Sequence, residues 1–405
     1  MLIEIAWKNI WRNKKRSIVI LTAIALGLSG GIFSTGIMVG IAESMVNNAI
    51  DGDLAHIQIH TKAFKDNPLI QNSIPGADTV IQQLRSLVGM KGVSGRVKIE
   101  GMASSPATNS GVEIVGIAPK AEASVTSIAG KIMEGSYLDS SNRNSVIIGK
   151  KLAEKLNLRV RSKLVLSFAG RDGSIIYGAF RIAGLFETES ALFDKSRVFA
   201  LDEDMTRLLG GSPTVHEIAI RLVQGQSMPE ALSSIRSAYP HLVVESWKDL
   251  APELKLTAEL TNVTMLFFLA IILFGLLFGI TNTMLMSVLD RIREFGMVMA
   301  IGMKRKRVFA QIILETIFLS LSGSGIGMAL GVIVLSITQH TGINLSVFAE
   351  GLSIYGISSM LYPSVPLELY FELGVLIVLT ALGAAVYPGI KATRLKPAEA
   401  IRTYA

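Results

Sequence analysis

The sequence contains no cysteine and has little charge for its length. Of its 405 residues, 18% are Asp, Glu, Lys or Arg, whereas soluble domains carry about 25%. The absence of cysteine excludes a disulfide scaffold, a thiol nucleophile and thiolate metal sites. Hydrophobic residues make up 50% of the chain and its mean hydropathy is +0.48, so we expect part of the chain to lie in lipid.

Four apolar stretches are long enough to cross a bilayer, which needs about 20 apolar residues per helix. We predict transmembrane helices at residues 17–41, 264–289, 308–338 and 367–388. The first stretch has no charged residue and is too long for the apolar region of a signal peptide, so we expect it to be retained. Pro388 is expected to end the fourth stretch.

The basic excess, a formal net charge of +7, lies beside the predicted spans. Residues 1–16 carry five basic side chains against one acidic, the loop 290–307 six against two, and the tail 389–405 four against one. The segment 339–366 has no Lys or Arg, and the large segment 42–263 is neutral, with 24 basic and 24 acidic residues. By the positive-inside rule, both termini and the 290–307 loop are expected in the cytoplasm and the other two segments outside. The charge thus indicates topology and not a nucleic-acid partner.

Residues 1–16 are predicted to form a cytoplasmic interfacial helix. Ile3, Trp7 and Trp11 fall on one helical face, and Lys8 and Arg12 lie on or near the other. Tryptophan favours the membrane–water interface, so this helix is expected to lie on the inner leaflet.

The segment 42–263 reads as a mixed α and β domain. Strand-like runs occur at residues 54–60, 112–117, 145–149, 162–168, 180–186, 217–222 and 242–245, and helical windows at 78–88, 150–156, 202–209 and 228–238. Residues 42–50 and 250–262 would form helical stalks below the domain. The predicted fold class is therefore a membrane protein with four transmembrane α-helices and a large α+β extracytoplasmic domain between the first two.

Motifs for catalysis, cofactors or metals are weak in this sequence. Residues 144–151 resemble a phosphate-binding loop but lack its first glycine and its final hydroxyl. His56 and His60 have the spacing of a zinc pair on a helix, yet the alternation of Ile57 and Ile59 indicates a strand. We therefore expect no catalytic, cofactor or metal site in this chain.

Small residues and one acidic residue mark the predicted spans. Gly27 and Gly31 in the first span, and Gly323, Gly327 and Gly331 in the third, allow close helix approach in lipid. The contact could be intramolecular or between two copies, and we favour a dimer contact for part of the third-span stripe. Glu315, with Gln311 on the same face, is expected either to pair with one of residues 304–307 or to bond to a neighbouring helix, in a structural or coupling role.

The loop 290–307 is the densest local pattern. Residues 290–301 are predicted to form a short amphipathic helix that Gly302 ends, with a basic cluster beyond it. A helix with exposed methionines and mixed charge suits a groove on a partner protein. A membrane-surface helix would show the same residues, and the pattern alone leaves both interpretations open.

At this loop the sequence resembles the FtsX/MacB-like family of ABC transporter permeases (type VII). Arg293, Glu294, Gly296, Ala300 and Gly302 match the family pattern here, and Gln311, Glu315 and the glycine stripe match its third span. The closing pattern is matched by Pro388, Ala392, Pro397, Glu399, Ala400, Ile401 and Arg402, and residues 6–13 resemble the interfacial helix.

The resemblance implies a non-catalytic inner-membrane subunit, with residues 264–400 as the permease domain. It would act in a dimer, with a second copy or a paralogue, and would transmit the closure of a separate cytoplasmic ATPase to the outside domain (mechanotransmission). ATP and Mg would be bound by that partner ATPase. The coupling residues carried over are Asp290, Arg291, Arg293, Glu294, Phe295, Gly296, Met297, Ala300 and Gly302, with Arg291, Arg293 and Glu294 as polar contacts in the ATPase groove.

The size of the outside domain and the stretches 52–60, 182–188 and 196–200 are most similar to lipoprotein-releasing (Lol-type) permeases. This resemblance implies extraction of lipoproteins from the inner membrane for transfer to a periplasmic carrier. The alternatives are MacB-like efflux and an FtsX-like regulator of a periplasmic cell-wall hydrolase.

Overall fold

The computed structural model describes residues 2–12 and 14–394. Positions 396–402, which include the predicted matches Pro397, Glu399, Ala400, Ile401 and Arg402, lie outside the described residues. The chain divides into two compact units. We call the unit of residues 1–42, 259–344 and 361–405 the membrane unit, and the unit of residues 43–258 and 345–360 the sheet unit.

The long apolar runs all form helices. The described helices of these runs and their flanks are α1 (Leu2–Arg12), α2 (Lys14–Ala49), α11 (Pro252–Asp290), α12 (Ile292–Ala300), α13 (Arg305–Thr341) and α15 (Leu367–Thr393). Within the described residues, four of them (α2 with its C-terminal turn, α11, α13 and α15) are long and apolar enough to cross a membrane, which confirms the predicted fold class. Two of these helices, α2 and α11, contribute residues to both units.

The ends of these helices differ from the expected spans. Residues 42–49 continue α2 without interruption, and a π-helical turn, Ile50–Leu54, follows it. Helix α15 continues past Pro388 to Thr393, although the proline was expected to end it. Proline is tolerated in membrane helices where neighbouring groups satisfy the freed carbonyl, and Pro388 is buried.

The glycine stripe of α13 packs against α2 of the same chain. A Cβ atom at Gly323 would lie 3.0 Å from Ile24, and one at Gly331 would lie 2.9 Å from Ile32. At Gly327 it would lie 2.9 Å from backbone atoms of Ala25, so only glycine allows this approach. The stripe is thus an intramolecular contact, which corrects the expectation that part of it serves a dimer.

The first-span glycines pack against α11 in the same way. A Cβ atom at Gly27 would lie 3.2 Å from Leu276, and one at Gly31 would lie 3.1 Å from Ile272. Because lipid provides no hydrophobic driving force between helices, this close packing helps to hold α2 to its two neighbours.

The sheet unit contains one mixed sheet. Over residues 43–258, all of which are described, its strands are β1 (Ile57–His60), β2 (Met90–Ser104), β3 (Asn109–Ile117), β4 (Ile132–Gly135), β5 (Ser145–Gly149), β6 (Lys163–Ala169), β7 (Ile175–Phe186), β8 (Arg197–Leu201), β9 (Glu217–Leu222) and β10 (Val243–Ser246). The strand order is β10-β1-β9-β2-β3-β8-β5-β7-β4, and β6 pairs with β2 and β7. The β3–β8 and β5–β7 pairs are parallel, and the other pairs described are antiparallel.

The helices of this unit are short. They are α3 (Lys62–Asp66), α4 (Ala77–Ser86), α5 (Pro119–Val125), α6 (Lys150–Leu156), α7 (Ala191–Ser196), α8 (Asp202–Leu208), α9 (Met228–Ala238), α10 (Trp247–Leu250) and α14 (Ala349–Ile354). A 3₁₀ turn, Ile128–Lys131, follows α5. Residues 345–360, part of the short extracytoplasmic loop predicted at 339–366, contain α14 and belong to the sheet unit.

One half of the sheet has a β-α-β-β-α-β topology. The order β10-β1-β9-β2, all antiparallel, with α4 after β1 and α9 after β9, is the ferredoxin-like arrangement. Its core is formed by inward residues such as Ile59, Leu84, Ile220 and Ile235, all fully buried. The segment from β3 to β8 is inserted between β2 and β9 and builds a second core around α6 and α8.

Most strands of this unit were predicted, and the largest omission is β2. The strands at 145–149 and 217–222 and the helices at 150–156 and 228–238 have the predicted bounds. Strand β2 was missed because its glycines and basic residues obscure the inward alternation of Val97 and Ile99. β8, whose buried run follows α7 directly, and the short strand β4 were also missed.

Candidate functional site

Helix α12 is shorter than predicted at its N-terminal end. Asp290 is the last residue of α11, and Arg291 (φ −108°, ψ 16°) breaks the helix before Ile292. The C-terminal end is as expected, because Gly302 has φ +108° and its N–H bonds to the carbonyl of Met299 at 3.1 Å. The expected single helix 290–301 is therefore corrected to Ile292–Ala300, set off from α11 by a one-residue break.

The two faces of α12 have different environments. Phe295 and Gly296 are buried, and Phe295 packs in the core formed by α2, α11 and α13. Arg293, Met297 and Ala300 are exposed. The surface continues through Ile301, 87% exposed, into the exposed basic residues 304–307. We call Arg293, Met297, Ala300, Ile301 and residues 304–307 the α12 surface.

Two of the predicted polar contacts bind inside the chain instead. Glu294 accepts hydrogen bonds from Arg12 of α1 at 2.5 Å and from Nε of Arg291 at 3.0 Å. The guanidinium of Arg291 also lies 5.1 Å from the centre of the Phe295 ring, a cation–π distance. Helix α12 is thus tied to α1 through the Arg12–Glu294 pair.

Glu315 completes this network from the membrane helix α13. It is 5% exposed, and its carboxylate accepts hydrogen bonds from Nη1 of Arg291 at 3.1 Å, from Asn9 at 2.7 Å and from Gln311 at 3.1 Å. Of the two expectations for this carboxylate, pairing with residues 304–307 is wrong and a bond to a neighbouring helix is confirmed. We call Asn9, Arg12, Arg291, Glu294, Gln311 and Glu315 the α12 network.

The electrostatics of the Arg12–Glu294 pair favour its charged forms. The hydrogen bond from Arg12 lowers the pKa of Glu294, and Arg291 lowers it further, although partial burial opposes both. The same hydrogen bond raises the pKa of Arg12. A polar cavity of about 200 Å³ lies among these side chains and is also lined by Ser17 and Ser287. The network therefore holds α12 by charge and not by apolar packing alone.

Sequence reasoning missed the α1 side of this site. Asn9 and Arg12 were treated only as parts of an interfacial helix, yet both donate hydrogen bonds to the predicted residues Glu315 and Glu294. Their i, i+3 spacing places them on one face of α1, which is the available signal. Trp7 is half exposed, as expected of an interfacial anchor, and packs edge-to-face on Phe318 of α13.

The weak metal motif has a structural role. His60 lies on strand β1, as predicted, and its Nε2 is 2.7 Å from Glu245. Nδ1 of His56 accepts a hydrogen bond from the backbone N–H of Leu222 at 3.3 Å. Among the described residues, no group of three or more His, Asp or Glu side chains is placed to hold a metal ion.

Comparison with known families matches nearly the whole described chain. The sequence profile of the MacB-like periplasmic core domain matches residues 17–238, which is more than half of the chain. The profile of the FtsX-like permease C-terminal region matches residues 266–397, which include α12 and the glycine stripe.

Individual relatives have low sequence identity to this chain, and two of them align over most of its length. The lipoprotein-releasing system transmembrane protein LolE of Haemophilus influenzae is 22% identical over 426 residues, covering 99% of both chains. The macrolide export ATP-binding/permease protein MacB of Escherichia coli K12 is 22% identical over 358 residues, covering 82% of this chain and 52% of MacB. MacB of Chlorobaculum tepidum is 35% identical over 124 residues, covering 31% of this chain and 16% of that protein. This chain thus spans nearly all of LolE and about half or less of these MacB proteins.

The profiles and the structure agree on the same organisation. Four apolar helices with a mixed α and β unit between the first two define a multi-pass protein of the inner membrane. The chain therefore belongs to the FtsX/MacB-like family of ABC transporter permeases.

Proposed function

We propose that this chain is a permease subunit that couples a separate cytoplasmic ATPase to its extracytoplasmic sheet unit and thereby releases lipoproteins from the membrane. In this proposal the chain is not an enzyme, and ATP and Mg bind in the partner ATPase. Both termini and α12 lie in the cytoplasm, and the chain works as a dimer with a second copy or a paralogue.

The α12 surface is the proposed docking site for the ATPase. It offers an exposed arginine, an exposed methionine and a basic run next to a helix whose other face is fixed in the core. A rigid helix loses little conformational entropy on docking, so it is suited to transmit a movement of the ATPase to the permease. The α12 network is the proposed support of this helix, with Arg291 and Glu294 acting on the permease side of the interface.

The docking proposal is tested by co-purification. The chain is co-expressed with a candidate ABC ATPase and purified from membranes, as wild type, as Arg293→Glu with Met297→Asp, and as the control Lys8→Glu. Lys8 is exposed on α1 and lies outside the α12 surface. We expect the double variant to lose the ATPase and the control to retain it. Equal recovery from all three proteins would contradict the docking site.

The assignment of lipoprotein release depends on one observation, the correspondence with LolE along 99% of both chains. A match of this length includes the sheet unit, where a released substrate would be handed over, as well as the membrane helices. Measurement in proteoliposomes tests it: the complex, given ATP, should transfer an acylated lipoprotein to a soluble carrier, and the same protein lacking its acyl chains should not be a substrate. Failure to release any acylated lipoprotein, with ATP hydrolysis intact, would reject this substrate class.

A second candidate is MacB-like efflux. It is favoured by the higher local identity, 35% over 124 residues, to the Chlorobaculum tepidum protein. Under this alternative, cells that express the complex would tolerate more macrolide and the lipoprotein assay would be negative. The two assays therefore separate the candidates.

A further inference from the structure

Within the sheet unit, buried charges hold the turn that follows α2. Asp53, in the π-helical turn that follows α2, is 9% exposed and accepts a hydrogen bond from Arg197 of β8 at 2.8 Å. Arg96 of β2, 1% exposed, donates from Nη1 to the backbone carbonyl of Asp53 at 2.6 Å. The side-chain carboxylate and the backbone carbonyl of Asp53 are thus bound by two different strands.

These arginines are themselves held by other buried groups. Arg96 forms ion pairs with Glu122 of α5 at 2.6 Å and with Glu217 of β9 at 2.8 Å. Lys98 of β2 lies 3.1 Å from Glu217 and 3.0 Å from Glu113 of β3, and Glu113 also pairs with Arg197. We call Asp53, Arg96, Lys98, Glu113, Glu122, Arg197 and Glu217 the joint cluster.

Two other carbonyls of the turn also accept hydrogen bonds from residues of the sheet unit. The carbonyl of Asp51 accepts from the backbone N–H of Ser127 at 2.8 Å, and that of Leu54 accepts from the side chain of Gln58 at 3.1 Å. Asp51 also pairs with Arg221 of β9. Cations and donors at a helix C-terminus complement its dipole, so these contacts stabilise this end of α2.

The start of α11 is attached differently. The short helix α10 begins with a local capping box, in which the Asp249 carboxylate accepts hydrogen bonds from the backbone N–H and the hydroxyl of Ser246 at 3.0 Å and 2.9 Å. The ion pair of Asp249 with Arg236 is long, 3.7 Å, and both side chains are about half exposed. Glu253 and Lys255 in the first turn of α11 form no ion pair with any described residue, and both are exposed. An exposed ion pair contributes little to stability, whereas a buried and fully bonded network fixes the orientation of its side chains.

We infer that α2, and not α11, is the element that drives the sheet unit, and that Asp53 is the positioning residue that transmits its movement. The inference rests on the proposed function, since it assumes that an ATPase moves the membrane helices. A shift of residues 43–49 would carry Asp53 with it. Because Asp53 is bound to β2 and β8 at once, those strands would follow. A shift at Pro252 meets no buried ion pair among the described residues, only the capping box and the buried Trp247, whose backbone N–H bonds to the carbonyl of His56 at 3.1 Å.

The test uses the full chain with its ATPase in proteoliposomes. Asp53→Asn keeps the size of the side chain and removes its charge, and Asp249→Asn is the matched variant at the other stalk. Glu245→Gln controls for the loss of a buried carboxylate elsewhere in the sheet unit, since Glu245 is 8% exposed and paired with His60. Asp53→Glu serves as the conservative rescue.

Two quantities are measured: lipoprotein released per ATP hydrolysed, and the change in backbone hydrogen exchange of residues 57–60 and 197–201 when a non-hydrolysable ATP analogue is added. We expect Asp53→Asn to retain the ATPase and its hydrolysis but to lower release per ATP by about fivefold or more. It should also lose the exchange response. Asp249→Asn and Glu245→Gln should keep both within about twofold, and Asp53→Glu should restore much of each.

Equal losses in the Asp53→Asn and Asp249→Asn proteins, or none in Asp53→Asn, would overturn the inference. The exchange response does not depend on the substrate. A wild-type complex that responds to the analogue but releases no lipoprotein therefore rejects the substrate assignment alone. Loss of the exchange response only in Asp53→Asn would still support the role of Asp53. A wild type with no response would reject the driven movement itself.

Discussion

Removal of the Glu315 carboxylate should destabilise the membrane unit and misplace α12. In Glu315→Ala, the side chains of Asn9 and Gln311 lose an acceptor in a buried site, and Arg291 loses one of its two carboxylate partners. Removing one partner of a buried ion pair costs about 3–5 kcal/mol. Arg291 keeps Glu294 at 3.0 Å and is 14% exposed, so we expect about 2–4 kcal/mol here.

The free energy of unfolding is measured by SDS titration of the purified chain in mixed micelles. The second readout is the ATP hydrolysis that the chain stimulates in its ATPase partner. Glu315→Gln is the milder variant, because an amide can still accept from Asn9. Glu294→Gln, with a side chain that is 43% exposed, should change stability by less than about 1 kcal/mol.

A paired replacement separates stability from positioning. When both partners of a buried ion pair become apolar, stability is commonly restored. Arg291→Met with Glu315→Leu should therefore unfold within about 1 kcal/mol of the wild type, yet still stimulate the ATPase poorly. If the double variant recovers stimulation together with stability, the α12 network only holds the fold. A wild-type unfolding curve for Glu315→Ala would refute the reasoning altogether.

Three further predictions concern packing, pH and topology. Gly327→Val should destabilise the membrane unit by about 1–3 kcal/mol in the same SDS titration, because a Cβ atom there would lie 2.9 Å from the backbone of Ala25. Gly325→Ala, which has open space around it, should leave the free energy of unfolding unchanged. Burial raises the pKa of Asp194 to about 6, so the folded state binds this proton more tightly than the unfolded state does. The resulting contribution to the free energy of unfolding is complete below about pH 4 and is lost as the pH rises through about 6. The loss should reach about 1.4 kcal/mol per pH unit relative to Asp194→Asn, whose denaturation should lack this component. Since the chain has no cysteine, Val347→Cys should react with a membrane-impermeant maleimide in cells whose outer membrane has been permeabilised, and Lys306→Cys only after lysis; the reverse pattern would invert the topology.

The sequence allows the membrane helices and the end of α12 to be predicted because both depend on local properties. Apolar length determines a span, and a glycine with positive φ ends a helix wherever it follows the last apolar turn. Gly302 therefore fulfils its predicted role. The break at Arg291 was not predictable in this way, since this arginine leaves helical geometry in a site where Glu294 and Glu315, from two helices, bind it.

The partners of buried charges could not be predicted, for the same reason. Arg96 and Asp53 are 43 positions apart, and Asn9 and Glu315 are 306 apart. Sequence spacing constrains only neighbours within a helix or strand, so it could place Gln311 beside Glu315 but not Asn9. The glycine stripe shows the same limit: its spacing predicts close packing and leaves open which helix is packed against.

Along the chain, helix α2 lies between residues of the two charge networks. Helix α2 begins two residues after Arg12 of the α12 network, and the turn at its other end contains Asp53 of the joint cluster. Apolar contacts in lipid are weakly directional, so a helix held only by them can slide or rotate at small cost. The hydrogen bonds and ion pairs of Asp53 hold the C-terminal end of α2, and the glycine contacts with α13 and α11 hold its membrane part. Under the proposed function, a displacement of α2 would therefore reach the strands of the sheet unit through Asp53.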